Sequence, residues 1–240
     1  MSKNIRRLSF LLFPLLLAGL FSTGIIQAED TAGQTMRSVQ KRYASLQSLE
    51  FDFTQITLTN GRPKEGKGHA VFCRPAEKKG EVKTAASGVI RWHYQQPVEQ
   101  IIVNDGQEMA MYTPVDKQLL ITAAGELETD ITYTLFTGTK SILDTFEVAP
   151  EDTSFQPSKP KAPGKAFLLT PKQPQSQLKR AQIWVNADLT ITQVLMEDHF
   201  GSLTELAFTA LAFNTLKGSA KELQALVKLE LAPGTETIRQ

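Results

Sequence analysis

The spacing of hydrophobic residues changes abruptly near residue 50. Before that point, large apolar residues recur every three or four positions, as on one face of a helix: Met36, Val39, Tyr43, Leu46 and Leu49. After it, Phe51 and Phe53 alternate with polar neighbours, which is the period of a half-buried strand. The pattern therefore predicts an amphipathic helix over residues 31–49, followed directly by a β-strand.

Most of the remaining chain consists of short strand-like runs separated by turn residues. Asn60 and Gly61 favour a tight hairpin, because both residue types tolerate positive φ angles. Many short strands joined by short turns are typical of an antiparallel sandwich or barrel-like sheet. The predicted strands cover residues 66–74, 89–94, 99–103, 108–112, 118–122, 166–170, 180–185, 191–198 and 203–214.

Two segments interrupt the strand pattern. Residues 135–146 space their apolar side chains as a short helix would, and a helix inserted in a sheet protein is a candidate lid or plug. Residues 150–165 contain four prolines, which fix φ and remove hydrogen-bond donors. We expect an irregular surface connection there.

The first 28 residues have the layout of a secretory signal peptide. Lys3, Arg6 and Arg7 precede the apolar run 8–21, and small and polar residues lead to a cleavage site near Ala28. A membrane anchor is the alternative, but the run is shorter than the roughly 20 residues that a spanning helix needs. We therefore expect export to the periplasm and a single mature domain over residues 29–240.

Composition and motifs exclude several function classes. The 26 Lys and Arg residues against 25 Asp and Glu residues give a net charge of +1, which argues against a nucleic-acid binder. The single cysteine, Cys73, rules out an internal disulfide and a multi-cysteine zinc site, and its apolar neighbours predict burial. The three histidines are widely separated, and no nucleophile elbow or phosphate-binding loop is present. We expect no enzymatic activity, no metal and no cofactor.

The strongest positive signal is apolar. Several strands carry pairs of large side chains two residues apart, and each pair must lie on one face of its strand. Such a face is either an ordinary protein core or a surface that binds an apolar ligand. The pairs are Phe51 with Phe53, Trp92 with Tyr94, Met109 with Met111, and Leu119 with Ile121.

The order of these segments resembles that of the periplasmic outer-membrane lipoprotein carrier family, LolA. The resemblance begins with the leader and the first helix, and it spans most of the mature chain. No single motif in it is specific, but the order and spacing are. The matching residues are Phe51-Asp52-Phe53-Thr54-Gln55, Gly66, Gly68, Arg74-Pro75, Arg91-Trp92-His93-Tyr94-Gln95-Gln96-Pro97, Val103-Asn104-Asp105-Gly106, Met111-Tyr112-Thr113-Pro114, Gln118, the segment 135–146, and Leu229-Glu230-Leu231-Ala232-Pro233-Gly234-Thr235-Glu236.

The resemblance implies a fold, a cargo and partners. Members of the family fold as an unclosed antiparallel β-barrel, a half-barrel whose concave apolar face is covered by a helical lid. They receive acylated lipoproteins from an inner-membrane transporter and pass them to an outer-membrane receptor, so we expect a monomeric carrier. The same fold also suits a carrier of another lipid, such as a glycolipid or pigment lipid, and less readily a domain that senses lipoproteins.

The resemblance also assigns candidate residues. We expect the lipid-binding cavity to be lined by Phe51, Phe53, Trp92, Met109, Met111, Leu119 and Ile121. The lid residues are Phe136, Ile142, Leu143 and Phe146. Arg74 matches the arginine that tethers the lid through hydrogen bonds to backbone in the family, and so acts as a lid switch. One departure is a charged insertion between Pro75 and Arg91, which we interpret as a lengthened hairpin.

Overall fold

The structure is a computed structural model, and it describes residues 23–76, 88–123, 135–136, 141–158 and 163–240. Twelve strands form one sheet. They are β1 (Ser48–Thr59), β2 (Arg62–Cys73), β3 (Val89–Gln96), β4 (Gln100–Asn104), β5 (Glu108–Thr113), β6 (Gln118–Ala123), β7 (Phe146–Pro150), β8 (Lys165–Pro171), β9 (Arg180–Val185), β10 (Ile191–Glu197), β11 (Leu203–Phe213) and β12 (Glu236–Arg239). The helices are α1 (Thr23–Ala44), α2 (Ile142–Thr145) and α3 (Ala220–Val227), and a 3₁₀ turn spans Pro114–Asp116.

The sheet is unclosed. Its strand order is β12-β6-β5-β4-β3-β2-β1-β11-β10-β9-β8-β7, so β12 and β7 form the two edges. All pairs are antiparallel except β12 with β6, which run parallel. The predicted fold class, a mainly β half-barrel with short helices, is confirmed.

The long hairpin of β1 and β2 lies at the centre of the sheet. Its turn is made by Asn60 and Gly61, both with positive φ, as the sequence predicts. β1 pairs with β2 on one side and with β11 on the other, so a strand from near the end of the chain lies beside the first. This pairing brings the N-terminal and C-terminal halves of the chain into one sheet.

The main hydrophobic core lies on the concave face of the sheet, beneath α1. Met36, Val39 and Tyr43 of α1 are almost fully buried against it, as predicted from their spacing. The predicted helix end was wrong, because α1 ends at Ala44 and Leu49 is the second residue of β1. Leu49 lies three residues after Leu46, which fits a helix, and two residues before Phe51, which fits a strand, so its position was compatible with both.

The convex face is also covered. The segment after β11 forms α3, whose Leu223, Leu226 and Val227 pack on an apolar cluster of β3 to β6. Arg91 of β3 holds the end of this helix by donating hydrogen bonds to the carbonyl oxygens of Leu226 and Lys228, at 2.9 and 3.0 Å. Both faces of this half of the sheet are therefore buried under protein.

Over β8 to β11, the convex face is covered by the connection after β7. Phe155 packs there on Ala166, Trp184 and Leu195. Gln182, fully buried, donates to the carbonyl oxygen of Phe155 at 2.7 Å. The described part of this connection, residues 151–158 and 163–164, is irregular as expected, whereas Pro150 is the last residue of β7 and Phe155 is buried.

Three sequence predictions need correction or lie outside the described residues. Phe146 is the first residue of β7 rather than the end of a helix, because α2 has only four residues. The predicted signal peptide lies mainly in residues 1–22 and the charged insertion mainly in residues 77–87, both outside the described residues, so these stay predictions. Among the helices that the structure describes, none is long and apolar enough to cross a membrane.

Candidate functional site

Aromatic rings dominate the centre of the concave face. Phe51 and Phe53 of β1 are almost fully buried, and Trp92 of β3 packs edge-on against both, with ring centroids 5.5 and 4.9 Å away. Tyr94 meets Phe53 at 4.9 Å, and Phe208 of β11 meets Phe51 at 5.0 Å. The alternation in β1 and β3 therefore predicted correctly which side chains share this face.

Glycines in β2 make room for these rings. Gly68 lies opposite Phe53 in one neighbouring strand and Tyr94 in the other. A Cβ atom added there would lie 2.9 Å from Cζ of Phe53 and would overlap the carbonyl oxygen of His93. The rings of Phe53 and Tyr94 meet across β2 because this position carries no side chain.

The described residues of the candidate lid close over the rings. Phe136 is fully buried, and its ring centroid lies 5.9 Å from Tyr43, 5.1 Å from Phe51 and 5.4 Å from Phe208. Leu135, Ile142 and Phe146 are also buried, and Leu143 packs at the margin. Among the predicted lid residues, Phe136 contacts the predicted aromatic face directly, and Ile142, Leu143 and Phe146 belong to the same apolar cluster.

Polar contacts of residues 141–145 link the described part of this segment to its neighbours. Gln40 of α1 accepts a hydrogen bond from the backbone N–H of Ile142 at 3.1 Å, and Ser141 caps α2 through the N–H of Asp144. Lys172 donates its backbone N–H to the carbonyl oxygen of Thr145 at 2.9 Å and its ammonium to that of Leu143. The lid is therefore attached both to α1 and to the loop after β8.

Arg74 anchors the helix on which the lid packs. Its guanidinium donates to the carbonyl oxygens of Ala44 and Leu46, each at 2.7 Å, and to that of Tyr43 at 3.4 Å. These carbonyls lie at the C-terminal end of α1 and just beyond it, where helical hydrogen bonding runs out, although that of Tyr43 also accepts the backbone N–H of Leu46 at 3.2 Å. Burial lowers the pKa of the Arg74 guanidinium. The predicted tether to the lid backbone stays a prediction, because residues 137–140 lie outside the described residues.

Tyr43 links α1 to the sheet. Its hydroxyl accepts a hydrogen bond from the backbone N–H of Ile191 at 2.9 Å, and burial raises the pKa of this phenol. The ring of Tyr43 stacks on Phe136. The same side chain thus contacts both the sheet and the lid.

The two methionines lie on the concave face, away from the aromatic centre. Met109 is opposite Asn104 and Thr122, and Met111 is opposite Ile102 and Leu120. Both methionines are half-buried. They extend the apolar surface of this face towards β6.

The predicted placement of Leu119 and Ile121 on the concave face was wrong. Leu119 pairs with Tyr112 and Ile121 with Ala110, and both lie on the convex face in the cluster under α3. Their neighbour Leu120 occupies the concave face instead. Residues 119–121 are three consecutive apolar side chains, so alternation alone cannot assign the face.

Sequence reasoning also missed the far half of the concave face and its cover. Those side chains lie on β8 to β11, where both faces of the sheet are covered and even polar convex residues such as Gln182, Gln193 and Glu205 are buried. The missed concave residues include Phe167, Leu169, Ile183, Val194, Leu206 and Phe208. The helix α3 could have been predicted from its capping box, which is formed by Ser219 and Glu222.

The remaining candidate chemistry lies elsewhere. Cys73 is buried, as predicted, and burial raises the pKa of its thiol to about 11. His69 contacts Asp52 at 2.9 Å and His93 contacts Glu99 at 2.9 Å, both on the convex side. No group of three or more metal-ligating side chains occurs within the described ranges.

An unclosed β half-barrel with a lidded aromatic face is the class of protein that this geometry defines. A family model described as outer membrane lipoprotein carrier protein LolA matches residues 44–220. Because this match spans more than half of the chain, the protein belongs to the LolA family, a family of carriers rather than enzymes.

Two curated proteins are similar to this chain in sequence, and one solved structure is similar to it in fold. An outer-membrane lipoprotein carrier protein from Chromohalobacter salexigens is 28% identical over 175 residues, which cover 71% of this chain and 72% of the relative. A protein of the same name from Hahella chejuensis is 30% identical over 169 residues, covering 68% and 73%. A crystal structure of an uncharacterized conserved protein from Thermus thermophilus matches with a TM-score of 0.50 at 10% identity, covering 87% of this chain and 99% of that one.

Proposed function

We propose that the protein is a periplasmic carrier that binds the acyl chains of lipoproteins on its concave face and delivers them to the outer membrane. An inner-membrane transporter would load it and an outer-membrane receptor would unload it. The observation that supports this most directly is the aromatic face of β1, β3 and β11 beneath the lid. Membership of the LolA family, with relatives named lipoprotein carriers, agrees with it.

The energetics suit reversible binding. Each buried methylene of an acyl chain contributes about 0.8 kcal/mol, and each fully buried large apolar side chain about 1.5–3 kcal/mol. The three buried lid residues outside the sheet, Leu135, Phe136 and Ile142, would therefore cost about 4.5–9 kcal/mol to expose. Roughly ten methylenes offset that cost. The closed lid and a bound acyl chain thus compete for the concave face with similar free energies, so both loading and release of cargo are reversible.

Native mass spectrometry of the protein purified from periplasm, without detergent, tests the proposal. We expect a one-to-one complex with acylated lipoprotein. Met111 faces the concave side, and Gln107 in the turn before the same strand is exposed, so the two positions supply a variant and its control. Met111→Asp should reduce the bound fraction, whereas Gln107→Asp should retain it.

The outcome also identifies the cargo class. Binding of phospholipid or glycolipid in place of lipoprotein would support the alternative carrier function on the same face. Absence of any amphiphile in the wild-type protein, or equal loss in both variants, would contradict the proposed site. Rescue of a strain depleted of its lipoprotein carrier would then test delivery to the outer membrane.

A further inference from the structure

Two buried polar side chains on the concave face lack a hydrogen-bond partner. Asn104 of β4 is 1% exposed and Thr122 of β6 is 5% exposed. Among the residues that the structure describes, none bonds to the side-chain nitrogen of Asn104 or to the hydroxyl of Thr122. Such atoms are rare in folded proteins, because each one has lost its hydrogen bonds to water without replacing them. Two of them on one face therefore indicate a ligand-binding function.

The strand register places both side chains beside Met109. Met109 of β5 pairs with Asn104 on one side and with Thr122 on the other, so the three side chains lie on one face of the sheet. Asn104 also pairs with Ile90 of β3, which belongs to the core of the concave face. We call Asn104, Met109 and Thr122 the Met109 row. It is continuous with the aromatic face through Ile90.

The orientation of the Asn104 amide is set by its other contact. Its oxygen accepts a hydrogen bond from the backbone N–H of Gly106 at 2.7 Å, in the turn after β4. The amide nitrogen, which carries only donors, is therefore the atom without a partner. The hydroxyl of Thr122 carries a donor as well. The Met109 row thus holds two donors that have no acceptor within the described ranges.

The charges around the row favour a neutral acceptor. Asp105 and Glu108 lie at the same end of β4 and β5, and Glu108 is paired with Arg239 at 2.8 Å. The guanidinium of Arg74 lies over the ring of Phe72, and it is bonded to three backbone carbonyls. A phosphate or a free carboxylate would therefore meet two acidic neighbours, while the nearby cations already hold other acceptors. A carbonyl oxygen carries no net charge and accepts readily from neutral donors.

We propose that the Met109 row binds the carbonyl oxygens that link the acyl chains of the cargo to its head group. This inference rests on the proposed carrier function, and it gives the cargo an orientation. The acyl chains lie along the aromatic face, and their ester linkages lie over β4 to β6. Each unpaired donor gains a hydrogen bond when a carbonyl enters, so the row favours loading of esters over loading of plain hydrocarbon.

A pair of synthetic lipopeptides tests the row. One carries an S-diacylglyceryl cysteine with palmitoyl esters, and the other is its dialkyl ether counterpart, which has the same chain length but lacks the carbonyl oxygens. A purely apolar face would bind the ether at least as tightly, since it is the less polar compound. We expect the wild type to bind the ester about tenfold more tightly, because each neutral hydrogen bond contributes a factor of about two to ten. Competition with a fluorescent acyl probe measures both Kd values.

Two variants remove the donors one at a time. Thr122→Val removes the hydroxyl and keeps the shape of the side chain. It should lower the affinity for the ester about threefold and leave that for the ether unchanged. The melting temperature of the cargo-free variant should not fall, because an unpaired buried hydroxyl does not stabilise the protein. Asn104→Asp keeps the acceptor for Gly106 but loses the amide donor, so it should also weaken the ester preference.

Thr54→Val is the matched control. Thr54 is exposed on the convex side of β1, next to Phe53 in sequence. The same threonine-to-valine change at this position should alter neither the ester preference nor the melting temperature. A loss of ester preference in Thr54→Val would show that the effect at Thr122 is not specific to the row, and would overturn the proposal.

A second pair of probes separates the sources of the carbonyl. Diester and diether phosphatidylethanolamine differ in the same way as the two lipopeptides do. An ester preference that is confined to the lipopeptides would identify the linkage of a lipoprotein. An ester preference in both pairs would identify acyl esters in general. Both results support the carbonyl site.

Other results would overturn it. Equal affinity of the wild type for ester and ether, or tighter binding of the ether, overturns the proposal but leaves the carrier function intact, since both probes then bind. Full ester preference in both Thr122→Val and Asn104→Asp also overturns it. A lower melting temperature of Thr122→Val, with equal loss of both probes, would give that residue a structural role instead. If neither probe binds to the wild type, the proposed carrier function fails, and this inference fails with it.

Discussion

Phe136 is the residue through which lid closure is best tested. Its ring is fully buried between Tyr43, Phe51 and Phe208, at centroid distances of 5.1–5.9 Å. Truncation of a buried phenylalanine to alanine costs about 3–5 kcal/mol. If the contacts exist only in the closed state, Phe136→Ala shifts the balance towards the open state by about 3 kcal/mol, or roughly a hundredfold.

This shift has two measurable consequences. The apparent Kd for a fluorescent fatty-acyl probe should fall, by up to about a hundredfold, because less of the protein is in the closed state that excludes ligand. Release of the probe to acceptor vesicles, followed by stopped-flow fluorescence, should become slower. A fluorescence titration and a release trace therefore both report on the equilibrium between the open and the closed lid.

Phe155→Ala is the matched control. Phe155 is also almost fully buried, but it lies on the convex face, where it packs on Trp184 and Leu195. Its truncation should lower the free energy of unfolding without changing probe affinity. If Phe136→Ala leaves the Kd unchanged, or weakens binding as a loss of cargo contacts would, closure by this residue does not compete with cargo.

Three further predictions concern residues around the site. Arg74→Leu removes a charged donor from three backbone carbonyls and should lower the free energy of unfolding by about 3 kcal/mol. The variant should still bind the acyl probe but should release it poorly to a receptor. Release at the wild-type rate would show that Arg74 has no part in the mechanism. Gly68→Ala should destabilise by about 1–3 kcal/mol in urea because the added Cβ overlaps its neighbours, whereas Gly33→Ala in α1, where nothing lies within 4 Å, should stabilise slightly. Burial raises the pKa of Cys73 from 9.0 to about 11, so the folded protein favours the neutral thiol. The resulting contribution to the free energy of unfolding is complete below pH 9 and is lost as the pH rises towards 11. Between pH 8 and pH 10.5, wild type should therefore lose about 2 kcal/mol more than Cys73→Ala does, and parallel pH profiles would contradict this assignment.

Some of the concave face was predictable from sequence because its alternation is clean. Phe51 and Phe53 flank Asp52 and are followed by Thr54, so only one register buries the large side chains. The structure agrees, with both rings buried and Asp52 exposed. The segment 135–146 was recognisable as a candidate lid for a related reason, since its apolar residues interrupt a strand pattern.

The failures arise where both faces of a strand are covered. Residues 119–121 are apolar at every position, since Leu120 faces the concave side while Leu119 and Ile121 lie under α3. β9 is similar, because Trp184 on its convex face is as buried as Ile183 on its concave face. The covering segments come from distant parts of the chain, so local periodicity does not reveal which face they occupy.

The layers over the concave face differ in how firmly they are attached. α1 is held at its C-terminal end by Arg74 and is joined to β10 through the Tyr43 hydroxyl. α2 has only four residues, and its described polar links run to Gln40 and Lys172. A helix of four residues makes few backbone hydrogen bonds of its own, and such a short element opens at lower free energy than the sheet beneath it. The lid should therefore open while α1 and the sheet stay in place, which lets cargo reach the aromatic face without unfolding of the protein that holds it.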